Sequence, residues 1–339
     1  MADQILLSIC IATMNRGPFI GDTLDSILSQ AGDETEVVIL DGASTDNTRE
    51  VVEHYSRNHK NIKYVYQDKA CGVDRDFSHT VELASGKYCW MMCDDDFLKP
   101  GAIKTVLEHI KDDYGLILVN SEVRDPQMGA VIHEKILDIS EDGAYEPKDN
   151  QAFFVDNANY LSFIGCVVIK KEIWDRRDKE PFFGTEFVHV GVIFQKLLQE
   201  NILVVSTPYI AIRAGNAQWT PKGFDIWFYK WPRLIWSFDG YPEEAKAKIC
   251  HKEPYRKVIS LLHARAQGAL TREVLQNFRS KNNLDVSETK LMDFISVLPG
   301  TLINCMGMLY FKFVNKSGLG LFYLKNSKCY YKNILNKKS

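Results

Sequence analysis

No run of apolar residues in this 339-residue chain reaches the ~18–20 that a membrane-crossing helix needs. The N-terminus, MADQILLSICIATMNR, lacks the basic n-region of a secretory signal, and its apolar stretch is too short for one. CxxC pairs are also missing. Eight cysteines are present (residues 10, 71, 89, 93, 166, 250, 305 and 329), several in apolar segments. They read as reduced thiols of a cytosolic protein rather than as zinc ligands or disulfides. A net charge of −3 shows no overall basic excess, so no nucleic-acid partner is expected. One sign of charge is absent locally: no acidic residue follows Asp293, while seven lysines, from Lys312 to Lys338, do. There is no internal repeat and no low-complexity tract. What remains, 45% hydrophobic and 25% charged, is an ordinary globular composition. The length allows one large domain with an appendage, or two domains.

The most informative stretch is residues 87–101, KYCWMMCDDDFLKPG. Tyr88, Trp90, Met91 and Met92 make a nearly continuous apolar run, the pattern of a strand buried on both faces. It runs into three consecutive carboxylates, Asp94, Asp95 and Asp96, and Pro100-Gly101 then open a helix. Adjacent carboxylates at the end of a buried strand repel one another unless a cation sits there. A hard divalent ion such as Mg²⁺ or Mn²⁺, carrying a diphosphate, fits that need. A solvated acidic turn is the plain alternative. A calcium EF-hand is excluded, because the required glycine and terminal glutamate are missing from the loop.

Residues 4–13 read as a first buried strand, followed by the loop Met14-Asn15-Arg16-Gly17 and a helix opened by Pro18. Residues 36–40 are a second strand ending at Asp41, with the turn-rich Gly42-Ala43-Ser44-Thr45-Asp46-Asn47 behind it. Residues 62–67 are a third strand. The loop from Asp68 to Asp74 leads into a helix over roughly 75–85. The strand at 87–93 and a helix to Asp112 follow, then a strand at 114–120. Repeated strand–loop–helix units point to an α/β fold with a mostly parallel sheet and helices on both faces. Ligands of such sheets bind beyond the carboxyl ends of the strands. Thr13, Asn15 and Arg16, then Asp41, then Asp68 and Asp74, then Asp94, Asp95 and Asp96 all converge there. Further on, the pattern predicts a β-excursion near 130–139 and strands at 161–169 and 202–213, the latter broken at Pro208. A helix entered through Phe182–Glu186 is expected to reach Glu200. The domain expectation is 1–215 for the α/β part and 216–339 for a mainly helical region with a basic tail.

The ordered motifs IATMNR, LDGASTDNT, DKACGVD and CDDDFLKPG resemble those of the family 2 nucleotide-diphospho-sugar glycosyltransferases, which have a GT-A, Rossmann-like fold. The resemblance spans residues 4–213. The segments GVDRDFSHTVELASGKYCWMMCDDD, GTEFVHVGVI and RAGNAQW resemble bacterial O-antigen and other surface-polysaccharide transferases, abequosyltransferase-like enzymes being the nearest subgroup. The resemblance implies a metal-dependent transfer of a sugar, such as a dideoxyhexose, from a CDP-, UDP-, GDP- or dTDP-linked donor. The implied acceptor is a polyprenyl-linked oligosaccharide at the cytoplasmic face of an inner membrane. Thr13, Asn15, Arg16, Asp41, Asp68, Asp74 and Asp94 fall where the family holds the nucleotide. Gly42 stands where relatives carry a second acid, and Gly72 would let a ligand approach the backbone closely. Counting back from Pro100, Asp95 and Asp96 fill the last two acidic positions of the family's DxDD and Cys93 replaces the first. Asp96 is therefore the expected direct metal ligand, with Asp95 beside it on the metal or the donor. Arg213 matches a position near the diphosphate, and Asn216 and Trp219 lie in a loop that would close over the donor.

Inverting members use a carboxylate near the start of the helix before the last strand to deprotonate the acceptor hydroxyl. The usual acidic pair is absent here, and alignment puts His189 and Val190 at its place. Glu186, on the same face if the helix already includes it, is the first choice for the base and His189 the second. A retaining enzyme would need neither. Two other readings stay open: a non-catalytic protein that binds nucleotide sugars, and a sugar-1-phosphate nucleotidyltransferase, for which the first loop has too few glycines. Finally, Leu302, Met306, Leu309 and Phe313 among tail lysines suggest an anionic membrane surface as a partner.

Overall fold

The structure, a computed structural model, describes residues 5–216, 218 and 222–335. Two compact units emerge, Met1–Arg213 with Phe238–Ala245, and Ala214–Ser237 with Lys246–Ser339. The first is built on a ten-stranded sheet. Its strands are β1 (Leu7–Thr13), β2 (Thr35–Asp41), β3 (Ile62–Tyr66), β4 (Tyr88–Met92), β5 (Phe97–Leu98), β6 (Leu116–Arg124), β7 (Val131–His133), β8 (Gly143–Tyr145), β9 (Val167–Lys170) and β10 (Ile202–Arg213). Its helices are α1 (Gly17–Leu28), α2 (Thr48–Asn58), α3 (Val73–Leu83), α4 (Ala102–Ile110), α5 (Asn150–Asn157), α6 (Lys171–Arg176) and α7 (Val188–Phe194).

The sheet runs β3-β2-β1-β4-β9-β6-β10-β5. Strands β3, β2, β1 and β4 are parallel; β9 is antiparallel to both β4 and β6, and β10 runs parallel to β6. Of these, β1, β2 and β4 are buried on both faces, which is why they read as nearly unbroken apolar runs, while the edge strand β3 is only partly buried. Chain order reverses at β1: the path steps outward to β2 and β3, then returns to β4 on the other side. Right-handed crossovers then put α3 on the face opposite α1 and α2. The reversal makes a switch point between the carboxyl ends of β1 and β4, where such sheets bind ligands. Leu7, Ile9, Trp90, Met92 and Val119 are among the residues that fill the core. The buried Trp90 indole N–H donates to the Gly165 carbonyl at 2.8 Å, so this ring leaves no polar atom unpaired.

Several local expectations shift. Residues 160–166 form 3₁₀ turns rather than strand, with the Tyr160 hydroxyl donating to the Val119 carbonyl at 2.6 Å. β10 is one strand whose register against β6 slips between Val205 and Ile210, around Pro208. Helix α7 stops at Phe194, short of Glu200. There Asn150 takes both backbone groups of Leu198, accepting its N–H at 3.0 Å and donating to its carbonyl at 2.8 Å, which removes that residue from a helical ladder.

The second unit is helical, with α8 (Gly223–Asp225) continuing through a π-helical turn at Ile226–Lys230 into α9 (Trp231–Trp236). Helix α10 (Glu243–Ile249) follows, then α11 (Val258–Gln267), α12 (Arg272–Asn282), α13 (Lys290–Val297), α14 (Gly300–Phe313), α15 (Gly318–Lys325) and α16 (Tyr331–Leu335). Phe224, Phe228, Leu261, Leu275, Phe278 and Met292 anchor a separate apolar core there.

Candidate active site

The carboxyl edge of the sheet collects the polar strand ends. Thr13 and Asp41 are register partners at the ends of β1 and β2. Asn15 adopts a left-handed φ of 56°, which an asparagine tolerates better than most residues. Its side-chain oxygen accepts the Thr45 N–H at 2.8 Å, and its own N–H donates to Ser44 Oγ at 2.8 Å. Asn15 therefore ties the first loop to the second. Asp41 is fully buried, with Oδ1 accepting the Ser44 N–H at 2.8 Å and Oδ2 the Tyr64 hydroxyl at 3.1 Å.

Arg16 bridges the switch point. Its guanidinium pairs with Asp94 and with Asp95, each at 3.2 Å, and its N–H donates to Thr48 Oγ1 at 2.7 Å. All three aspartates are buried. Burial, then the charge of Asp95, pushes Asp94 up to about 7, against the pull of Arg16. Burial and Asp95 likewise raise Asp96 well above the usual carboxylate range, although its Oδ1 accepts the Arg213 backbone N–H at 2.8 Å. Arg16 thus pairs with two of the three buried carboxylates. Ligand atoms of Cys93, Asp95 and Asp96 lie within 4.8 Å of one another, close enough for one ion. A divalent cation would relieve the repulsion that raises both Asp94 and Asp96. The oxygen donors suit Mg²⁺ or Mn²⁺; the thiol, itself pushed up by burial and by Asp96, is a poor ligand for Mg²⁺.

Three expected residues have other employment. Asp74 was expected at the nucleotide; instead its carboxylate accepts three backbone N–H groups, from Gly184 at 2.8 Å, Glu186 at 2.9 Å and Val188 at 2.9 Å. It clamps the turn that leads into α7. Arg213, expected near the diphosphate, directs its guanidinium into the fold. It donates to the Asp95 carbonyl at 3.1 Å and the Pro126 carbonyl at 2.8 Å, pairs with Asp22 at 3.2 Å, and packs between the Phe19 and Phe97 rings. His189 is 1% exposed in α7, its Nε2 at 2.7 Å from the Leu161 carbonyl, and burial lowers it to about 4. A neutral, enclosed imidazole does not reach an acceptor hydroxyl, so the second choice of base is withdrawn.

Glu186 lies outside α7, which starts at Val188, so the shared helical face does not exist. It is half-buried at φ 73°, a left-handed conformation that costs a non-glycine residue roughly 1 kcal/mol or more. The Asp74 clamp holds it there, and the Glu186 charge in turn contributes to raising Asp74, after burial. Asp68 is exposed in its loop. Gly72 serves by conformation: at φ 94° it turns the chain into α3, and a Cβ there would meet nothing within 4 Å. Asn216 lies in the described part of its loop, and Trp219 lies outside the described residues.

One carboxylate escaped the sequence reading. A Cβ on Gly42 would sit 2.9 Å from Asp76 Oδ2. Asp76, from the first turn of α3, occupies the space that a side chain at position 42 would take. It is buried, its Oδ1 accepts the Gln67 amide at 3.3 Å, and burial raises it to about 6, with the Asp41 charge adding to the shift. The signal was present as a pair, a missing acid at 42 and an extra one at 76, but nothing local links the two.

Comparison with known proteins points to glycosyltransferases. Residues 8–164 match the model of Glycosyl transferase family 2. The chain is 30% identical over 287 residues to the abequosyltransferase RfbV of Salmonella typhimurium, covering 77% of this chain and 78% of that protein. It is 25% identical over 182 residues to the GalNAc(5)-diNAcBac-PP-undecaprenol beta-1,3-glucosyltransferase of Campylobacter jejuni, covering 53% of this chain and 57% of that one. Among solved structures, S. aureus TarS 1–349 in complex with UDP-GlcNAc superposes with a TM-score of 0.55 at 14% identity, covering 97% of this chain and 92% of that one.

Proposed function

The chain belongs to glycosyl transferase family 2, with the GT-A architecture, and from that premise we propose that it transfers a sugar from a nucleoside diphosphate to a lipid-linked glycan in surface-polysaccharide synthesis. The observation that carries the reading is the cluster of the buried Asp94, Asp95 and Asp96 with the half-buried Cys93, and Arg16 paired to two of the carboxylates, at the sheet's switch point. The name of the Salmonella relative supports a dideoxyhexose such as abequose as the sugar, and that of the Campylobacter relative supports a polyprenyl-diphosphate acceptor.

In this reading Asp96 and Asp95 hold a divalent cation. When bound, the ion offsets charge that builds on the departing nucleoside diphosphate. Arg16 adds a fixed positive charge at the same place. Asp76 presents a carboxylate to the nucleoside from the start of α3, and Asp41, enclosed beside it, holds the Ser44 turn at the end of β2. Glu186 takes the proton of the acceptor hydroxyl as that oxygen bonds to the anomeric carbon and the diphosphate oxygen leaves, if configuration inverts. The lysine-rich C-terminal segment supports a site of action at the cytoplasmic face of a membrane.

Titration calorimetry with CDP, UDP, GDP and dTDP, each with Mn²⁺ or with EDTA, tests the donor site. Binding of one nucleotide that requires the metal and disappears in Asp96→Ala supports the reading, and a CDP preference supports the dideoxyhexose donor. Folded protein that binds none of the four would sink it.

A further inference from the structure

Helix α14 is turned inside out for a helix of a globular protein. Leu302, Met306, Leu309 and Phe313 recur at helical spacing and are 59%, 62%, 59% and 64% exposed. The opposite side is the buried one, and it carries the polar residue. Asn304 is fully buried, its amide donating to the Ala266 carbonyl at 3.0 Å, the Leu324 carbonyl at 3.0 Å and Ser327 Oγ at 2.9 Å. Those bonds, with Phe311 against His263 of α11, fix the rotation of α14 about its axis. The apolar face is therefore held outward by the fold. Just before it, Phe294 and Val297 of α13 are also exposed.

The chain that forms α14 and follows it carries charge of one sign. From Phe294 onward there is no Asp or Glu, and Lys312, Lys316, Lys325, Lys328 and Lys332 are all exposed. The Lys312 ammonium lies 5.1 Å from the centre of the Phe313 ring, so the positive charge borders the apolar stripe itself. A second copy of the chain would bring the same lysines against each other. An anionic lipid surface complements both features.

We propose that the outer face of α14, with Phe294 and Val297, docks the protein on an anionic bilayer, the helix lying in the headgroup layer. Among the described residues no single helix is long and apolar enough to cross a membrane, and the pair Ser287–Val297 and Gly300–Phe313, which passes by length and composition together, is bent by 84°. A surface-seated helix uses its exposed stripe without unbending that pair or extracting Asn304 from its three bonds. The inference deepens the lipid-linked acceptor reading by naming the surface that would bring the protein to such an acceptor.

The test measures full-chain protein on phosphatidylglycerol/phosphatidylethanolamine vesicles and on phosphatidylcholine vesicles, without donor or acceptor. The parent is expected to sediment with the anionic vesicles only, and to be released as salt rises and the Debye length shortens. Replacing Leu302, Met306, Leu309 and Phe313 by Gln or Ser should weaken partition at least tenfold. The triple change Lys312→Gln, Lys316→Gln, Lys325→Gln should weaken it by about fivefold per lysine that reaches the surface. All these positions are exposed, so both variants should keep the parent's melting temperature. Parent protein that ignores anionic vesicles, or variants that bind like the parent, would overturn the proposal. So would a dimer in sedimentation velocity that the apolar substitutions dissolve, since a second copy would then cover the face. Vesicle binding without any nucleotide binding would leave this surface standing and defeat the transferase reading; nucleotide binding without vesicle binding would do the reverse.

Discussion

The turns at residues 93–96 and 184–189 both carry ionisable side chains placed for chemistry, and the structure treats them oppositely. At 93–96 three carboxylates and a thiol are gathered with one guanidinium, leaving negative charge in excess. Burial and mutual repulsion raise Asp94 and Asp96 there, and such perturbed groups cluster at functional sites. At 184–189 the charge is spent on architecture. Asp74 is consumed by three backbone N–H groups, and His189 is enclosed and neutral. Glu186 is half-buried there, at a left-handed backbone angle that the Asp74 clamp holds. A titratable residue at a predicted position becomes functional only when its hydrogen-bonding capacity is not already consumed by the fold.

Breaking the first turn should have the largest effect. Asp96→Ala should lower transfer by about a thousandfold or more, with metal-dependent nucleotide binding lost in the same calorimetric experiment. If transfer survives within tenfold, the acidic turn is structural and the contrast between the turns collapses. Next comes Glu186→Gln. Loss of a general base should cost about 10²–10⁴ in transfer while nucleotide affinity stays within about twofold. A Glu186→Gln enzyme with full activity would show that configuration is retained or that another group takes the proton.

Asp74→Asn sharpens the same contrast. The amide cannot accept three N–H bonds as a carboxylate does, so the 184–188 turn should loosen, with stability down by about 1–3 kcal/mol in denaturant titration. Transfer should fall and nucleotide affinity hold, because Asp74 positions Glu186 rather than touching the donor. A variant that loses nucleotide affinity instead would return Asp74 to the donor site.

The smallest effects are in pH dependence. Asp76 has its folded value raised to about 6, so its contribution to stability is fully present below its unfolded value near 4 and is lost as pH rises through about 6. His189 is lowered to about 4, so its contribution is present above about 6.5 and is lost as pH falls toward 4. The two oppose each other between about pH 4 and 6. The stability difference between Asp76→Asn and the parent should favour the variant by about 2–3 kcal/mol more at pH 8 than at pH 4. For His189→Gln the difference should favour the variant more at pH 4 than at pH 8 by a similar amount. Urea titrations at the two pH values measure both, and flat differences would show that neither group is perturbed as its burial implies.

Much of the site was legible in the chain. The apolar runs ending at Thr13, Asp41 and Asp94 announced buried parallel strands, and parallel strands put their polar ends on one edge. Cys93 in place of an acid, and the spacing from Pro100, already singled out Asp95 and Asp96. Helix ends and turns were less legible. α7 was expected to start near Glu186 and run to Glu200, yet Asp74 and Asn150, distant in sequence, set where it begins and ends. Asp76 went unseen because its meaning depends on the missing side chain of Gly42.

Sequence alone determined the family, through four motifs in order, and the mostly parallel sheet with its polar strand ends on one edge, because motifs and apolar runs that end in polar residues are local patterns. Tertiary structure decided which of those polar groups are free to act. It buried His189, turned the Arg213 guanidinium inward between two rings, spent Asp74 on a turn more than a hundred residues away, and held the apolar face of α14 outward by bonding Asn304 inside. Each of those outcomes is a competition among hydrogen-bond partners far apart in the chain, which residue type and spacing do not encode.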